Sequence, residues 1–269
     1  MMKTFISSCW TKLANRYSLP NVVYPSIPIL WFGDMKAYEK SELKIVTVGL
    51  NPSCWEFKDN KNAPYDITLR FPKATQLCNY QTLTAKDVSA YSDAMNDYFK
   101  HRPYSKWFKH NERVLNELCA SYNVQAPYKL ISENKNDILK HTAIHVDIYA
   151  PLATDPVWGG MKKRERSVLC SACSGMFDDL MKILNPDIII IAVNQTEIAK
   201  HFVNAKGNKC TRHNADFDST NSPHDYLRGF NLDNGKKLIW GTNSNGQPFS
   251  SVKQLTTRMT SLKQQLNIP

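Results

Sequence analysis

The feature that most constrains the fold is an unbroken apolar run at residues 188–193, four isoleucines followed by Ala192 and Val193. Asn185-Pro186-Asp187 precedes the run and Asn194 follows it, so turn-forming residues bound it on both sides. A run of this length without polar alternation is typical of a strand buried on both faces of a parallel sheet. Because a helical membrane span needs roughly 18 apolar residues, we expect no membrane partner.

Similar patterns predict the remaining secondary structure. They indicate strands at 44–49, 141–149 and 237–242, and helices at 85–100, 104–121, 164–184, 196–203 and 251–266. Residues 205–235 are polar and predict a loop with at most one short strand. Strands separated by helices imply right-handed crossovers. We therefore predict an α/β fold, a three-layer α/β/α sandwich around a short, mainly parallel four-stranded sheet.

The chain carries a marked excess of positive charge. It has 34 Lys and Arg against 24 Asp and Glu in 269 residues, a formal net charge of +10. Such an excess favours a polyanionic partner such as nucleic acid, although a solvated basic surface gives the same composition. The polar start of the chain lacks the apolar core of a signal peptide, which predicts a cytoplasmic protein.

Candidate metal ligands are sparse. The seven cysteines are scattered, and only Cys170 and Cys173 have a ligand-like spacing, without the second pair that a zinc site requires. His145 and Asp147 lie two residues apart on one face of a predicted strand. This placement suits either two metal ligands or a hydrogen-bonded pair. We expect free core thiols, no metal and no cofactor.

In parallel α/β sheets the functional residues follow the carboxyl ends of the strands. There the chain carries mainly amides and hydroxyls, and it lacks a Gly-Lys-Ser phosphate cradle and a cysteine nucleophile. A basic cluster follows the second predicted strand, where phosphate contact and a solvated helix start are both open. These segments are Gly49-Leu50-Asn51-Pro52-Ser53, Lys162-Lys163-Arg164, Asn194, and Asn243-Ser244-Asn245-Gly246-Gln247.

Two of these segments resemble motifs of the uracil-DNA glycosylase superfamily. Residues 49–53 resemble its first motif, in the Asn-Pro version of the mismatch-specific uracil and thymine glycosylases. Residues 243–246 resemble the second motif of that branch, Asn-Pro-Ser-Gly, with Ser244 in place of the proline. The sequence pattern of Leu-Asn-Pro-Ser at 50–53 followed by Arg70-Phe71-Pro72 resembles that of poorly characterised bacterial relatives of this superfamily. Some glycosylases of this class act on phage DNA that carries modified cytosines.

The resemblance implies a single domain over residues 1–269, with an N-terminal extension of about 1–43 and an insertion of about 55–98. It implies a monofunctional DNA glycosylase that hydrolyses the N-glycosidic bond of a flipped uracil-like, mismatched or modified pyrimidine in double-stranded DNA. No obligate protein partner is implied. A non-catalytic nucleic-acid binder and a nucleoside hydrolase are the alternatives.

The implied site residues fall into three groups. Asn51 is the catalytic residue, which orients a water because its amide is too weak a base to abstract a proton. Phe71, or in second place Trp55, is the predicted stacking face for the base. The substrate contacts are Gly49, Leu50, Pro52, Ser53, Phe71, Asn194, Asn243 and Ser244, and the DNA contacts are Asn245, Gly246, Gln247, Lys162, Lys163 and Arg164.

Overall fold

A computed structural model describes residues 1–100, 103–119, 143–241 and 254–268. The protein is α/β, with a mixed six-stranded sheet in the order β2-β1-β3-β6-β5-β4. The strands are β1 (Ile45–Gly49), β2 (Ala143–Asp147), β3 (Ile188–Ile191), β4 (Phe217–Ser222), β5 (Asp225–Asn231) and β6 (Lys237–Gly241). The predicted sheet of four strands is therefore wrong, because residues 205–235 supply two more.

The strands that the apolar runs predicted form the parallel part of the sheet. β1 pairs with β3 and β3 with β6, both in parallel, and Val48 lies opposite Ile191. Every residue of β3 is buried, as expected for a strand covered on both faces. β5 pairs antiparallel with β6, and β4 pairs antiparallel with β5 at the edge of the sheet.

The described helices are α1 (Met2–Lys12), α2 (Met35–Lys40), α3 (Ala85–Asn96), α4 (Ser105–Cys119), α5 (Lys163–Ala172), α6 (Met176–Leu184), α7 (Gln195–His201) and α8 (Leu255–Gln265). From α3 onward the described helices follow the predicted ones with one interruption, whereas α1 and α2 lie in a segment for which no helix was predicted. The helix predicted at 164–184 is two helices, because Gly175 has a φ of +80° and turns the chain between them. Every helix within the described ranges is too short or too polar to cross a membrane.

The chain divides into two compact units. The first comprises Met1–Lys36, Gly49–Tyr104 and His145–Asn185. Its interior is aromatic: Tyr91 donates from its hydroxyl to the Pro28 carbonyl (2.9 Å) and packs edge-on against Trp10 and Trp31. Both the predicted N-terminal extension and the predicted insertion thus contribute core residues to this unit.

The second unit comprises the described residues of Ala37–Val48, Ser105–Ile144 and Pro186–Pro269. Its core combines the isoleucines of β3 with Leu238 and Ile239 of β6, all of them buried. Arg258 of α8 forms an ion pair with Asp225 at the start of β5, with 2.7 Å between Nη1 and Oδ1.

Candidate functional site

Asn51 lies two residues beyond β1, and its side chain is held by its nitrogen. Nδ2 donates to the Pro52 carbonyl (2.9 Å), the Leu152 carbonyl (3.1 Å) and Thr154 Oγ1 (3.1 Å). Two of these partners are carbonyl oxygens, which only accept hydrogen bonds, so they fix which end of the amide is nitrogen. The carboxamide therefore has one defined orientation.

The other end of the same amide is uncommitted. Among the described residues, none donates a hydrogen bond to Asn51 Oδ1, and the side chain is half-buried. A carbonyl oxygen of this kind accepts a hydrogen bond from water. The arrangement thus presents one fixed acceptor two residues beyond a buried strand.

The glycine that ends β1 is required by the strand beside it. A Cβ at Gly49 would lie 2.6 Å from Asp147 Oδ1 and 2.9 Å from His145 Nε2, closer than real Cβ contacts allow. His145 Nε2 and Asp147 Oδ1 are themselves 3.6 Å apart, with both side chains buried. Gly49 therefore serves close packing of a His–Asp pair, and its predicted substrate contact stays a prediction.

Ser53 and its neighbours order the segment that follows Asn51. Ser53 Oγ accepts a hydrogen bond from the Trp55 N–H (3.0 Å) and so caps a short 3-10 helix, Cys54–Glu56. Ser53 also forms a backbone bridge with Thr154, whose hydroxyl holds Asn51. Pro52 is buried and Leu50 half-buried. Backbone interactions and packing therefore largely hold in place the residues at 50–53 that are predicted to contact the substrate.

A second polar cluster surrounds Asp155, the residue after Thr154. The Lys58 ammonium donates to Asp155 Oδ2 (2.8 Å), and the Tyr65 hydroxyl donates to the same oxygen. These two hydrogen bonds, that of Lys58 first, hold the pKa of Asp155 below its usual range. Lys58 also lies 5.2 Å from the centroid of the half-buried Trp55 ring, within cation–π distance.

Glu56 is a buried carboxyl that sequence analysis missed. Burial raises its pKa to about 7, against the opposing effects of the Arg70 guanidinium and of the Tyr98 hydroxyl, which donates to Oε2 at 2.6 Å. Arg70 Nε is 3.8 Å from the same oxygen, and Arg70 Nη2 also donates to Asp59 Oδ1 at 3.3 Å. No local pattern marks this network, because its members are distant in sequence.

Phe71 lies in the interior of the first unit. Its exposure is 0%, and its ring packs against Phe57 and Tyr98, with 5.6 Å between centroids in each case. The prediction that Phe71 stacks on a base is therefore not supported here, because its ring is enclosed by core residues and has no exposed face. Of the two aromatic residues proposed for stacking, Trp55 alone is partly exposed.

The basic cluster lies where the sequence placed it, at the start of a helix. Lys162, Lys163 and Arg164 are all exposed. The Lys162 backbone N–H donates to Glu165 Oε2 (2.8 Å), which orders the first turn of α5. The three cationic side chains therefore stand on an ordered backbone and face solvent.

In the second unit, Asn194 caps a helix. Its side-chain oxygen accepts from the Glu197 N–H at 3.1 Å, at the start of α7. Asn194 is exposed and borders a cavity of about 470 Å³. The predicted second motif, Asn243 and Ser244 with Asn245, Gly246 and Gln247, lies outside the described residues.

The described residues contain no group of three His, Cys, Asp or Glu side chains that is arranged to hold a metal ion. Cys170 and Cys173 are both thiols outside any disulfide, and burial raises the pKa of Cys173 to about 12. Burial likewise raises the pKa of Cys54, two residues beyond Pro52. A protonated thiol is a poor nucleophile and a poor metal ligand.

Comparison of the sequence with models of known protein families finds no match, and comparison with curated proteins finds none either.

Proposed function

We propose that the protein is a monofunctional DNA glycosylase, which hydrolyses the N-glycosidic bond of a flipped pyrimidine and leaves an abasic site. One observation carries the proposal: the Asn51 carboxamide has its nitrogen tied to three acceptors and its oxygen without a donor in the described chain. The proposed fold is the three-layer α/β/α sandwich, here around a six-stranded sheet.

The proposed chemistry follows from what an amide can do. Cleavage of a glycosidic bond passes through an oxocarbenium-like state, which needs a water positioned beneath the sugar. Asn51 Oδ1 accepts a hydrogen bond from that water and orients its lone pair towards the sugar carbon. Because an amide does not take up the proton, the proton of the attacking water passes to the departing base anion or to solvent, and the reaction depends on a good leaving group. We therefore expect slow excision that favours bases forming stable anions.

The proposed substrate is a uracil-like, mismatched or modified pyrimidine. The modified cytosines of phage DNA belong to this class, so a role in defence against phage is part of the proposal. A flipped base gains about 1–3 kcal/mol from stacking on an aromatic ring, a role that Trp55 fits better than Phe71 because Trp55 is half-buried and Phe71 is enclosed. The backbone N–H groups of Leu50, Asn51 and Ser53 are the proposed donors to the departing base anion, since Pro52 has no N–H.

The experiment is incubation with duplexes that carry uracil, mismatched thymine or modified cytosines, followed by alkaline cleavage at abasic sites. We expect product with at least one base, and a loss of about a hundredfold in Asn51→Ala because the water loses its acceptor. Asn62→Ala is the matched control, since Asn62 is an exposed asparagine of the same unit. It should cleave like the wild-type protein.

Asn51→Asp tests the anchoring as well as the chemistry. An aspartate would direct its second oxygen at the carbonyls of Pro52 and Leu152, which repel it, so we expect lost activity in spite of the added base. Release of no base from the whole panel, or full activity in Asn51→Ala, would refute the glycosylase. Salt-dependent DNA binding without abasic product would identify a non-catalytic nucleic-acid-binding protein. Turnover of free nucleosides without cleavage of DNA would identify a nucleoside hydrolase.

A further inference from the structure

The second unit contains a cavity whose lining suits an anion. Its volume is about 470 Å³, within the range of small-molecule sites. It lies at the β4–β5 hairpin and the start of α7, and none of its lining residues is acidic. Two arginines, Arg212 and Arg228, contribute to the lining. The cavity wall therefore carries two guanidinium groups and no carboxylate, and the Asp218 carboxylate that pairs with Arg228 is not part of it.

Arg228 is held rigidly in this wall. Its guanidinium carbon lies 4.4 Å from the ring centroid of Tyr226 and 5.0 Å from that of Trp240. Nη2 donates to Thr220 Oγ1 at 2.9 Å, and Nε lies 3.0 Å from Asp218 Oδ2. An arginine fixed in this way loses little conformational entropy when it binds a ligand.

One nitrogen of this guanidinium is left for a ligand. Nη1 of Arg228 has no partner among the described residues, although the side chain is only 7% exposed. Arg212 is exposed, and its guanidinium also lacks a carboxylate or carbonyl partner in the described ranges. Together the two guanidinium groups offer the donors that match a phosphate group.

The rest of the lining suits a heterocycle. Asn194 and Gln195 supply amide groups, and the half-buried Tyr226 supplies aromatic surface, with the buried Trp240 also bordering the cavity. A phosphate alone would occupy a small part of a volume of about 470 Å³. We infer that this cavity binds a nucleotide unit, with its phosphate at Arg212 and Arg228. The inference goes beyond the proposed glycosylase and stands even if Asn51 has no catalytic role.

The test is calorimetric titration of the full chain with thymidine 5′-monophosphate, thymidine, inorganic phosphate and a thymidylate hexamer. We expect the monophosphate to bind at least about tenfold more tightly than thymidine, since thymidine lacks the group that the arginines recognise. Arg212→Glu should weaken binding of the monophosphate about tenfold or more. Lys206→Glu is the matched control, because Lys206 is exposed in the same unit and does not line the cavity.

Arg228→Lys adds a second variant, which keeps the charge and loses the planar fork. We expect this variant also to bind the monophosphate more weakly than the wild-type protein does. Circular dichroism checks that the variant is folded. Hexamer binding that depends on Arg212 would assign the site to a nucleic-acid strand, and hexamer binding that does not would assign it to a free nucleotide. Equal effects of Arg212→Glu and Lys206→Glu, equal affinity for thymidine, or no binding of monophosphate and hexamer would overturn the inference.

Discussion

Glu56 gives the first unit an ionisable group that titrates near neutral pH. Its exposure is 3%, and burial raises its pKa to about 7 although Arg70 and Tyr98 favour the charged form. A carboxyl whose pKa is higher in the folded than in the unfolded state binds its proton more tightly when folded. Its contribution to stability is therefore present at low pH and is lost as the pH rises from about 4.5 to about 7.

Glu56→Gln should remove this pH dependence. Glutamine keeps the shape and still accepts from the Tyr98 hydroxyl, but it carries no charge to desolvate. Between pH 5 and pH 8 we expect the wild-type protein to lose up to ~3 kcal/mol of unfolding free energy relative to this variant. Urea denaturation at each pH measures the difference, with the exposed Glu42→Gln as control. Parallel stability curves for wild type and Glu56→Gln would show that the carboxyl is ionised throughout.

At the scale of elements, the strands with a continuous apolar run were predictable and the β4–β5 hairpin was not. β3 was evident from the run of isoleucines because a strand buried on both faces typically has a nearly continuous apolar sequence. β4 escaped because it is an edge strand with mostly exposed polar residues, and such a strand has the composition of a loop. The break at Gly175 escaped because the helical spacing of apolar residues continues across it.

The candidate site divides in the same way. Asn51 was predictable, because strand order and a short motif place it at the end of a buried strand. The network of Glu56, Arg70 and Tyr98 was not, because its hydrogen bonds join residues up to 42 positions apart. The enclosure of Phe71 also depends on distant partners. Tertiary packing, which no local sequence pattern encodes, determines both the hydrogen-bond partners of Glu56 and the burial of Phe71.

The β4–β5 hairpin depends on a buried charge in α8. Arg258 donates to Asp225 Oδ1 (2.7 Å), to Ser219 Oγ (2.8 Å) and to the Ser219 carbonyl. Arg258→Met should cost about 3–5 kcal/mol of unfolding free energy, because it leaves the buried Asp225 without its counter-ion. Adding Asp225→Asn should recover part of that loss. Guanidinium denaturation checks both, and a double variant no more stable than Arg258→Met would mean that the hydrogen bonds to Ser219 are the main contribution.

At the scale of the whole molecule, the net charge of +10 either contributes to binding of a nucleic acid or is only solvated. A basic surface that contacts phosphates releases counter-ions from DNA, which makes binding depend steeply on salt. A merely solvated basic surface has no such partner. Lys162, Lys163 and Arg164 are the local candidate that the sequence singles out, and all three are exposed at the start of one helix.

Charge placement and total charge can be separated with two triple variants. Replacing Lys162, Lys163 and Arg164 with glutamine should lower the slope of log K against log salt by about 2–3, roughly one for each phosphate that is no longer neutralised. Replacing the exposed Lys36 and Lys40 of α2 and Lys86 of α3 with glutamine removes the same charge outside α5 and should change the slope much less. Fluorescence anisotropy with a labelled duplex across a salt series gives both slopes. Equal slopes for the two variants would mean that DNA responds to the overall field of the protein, with no local binding at α5.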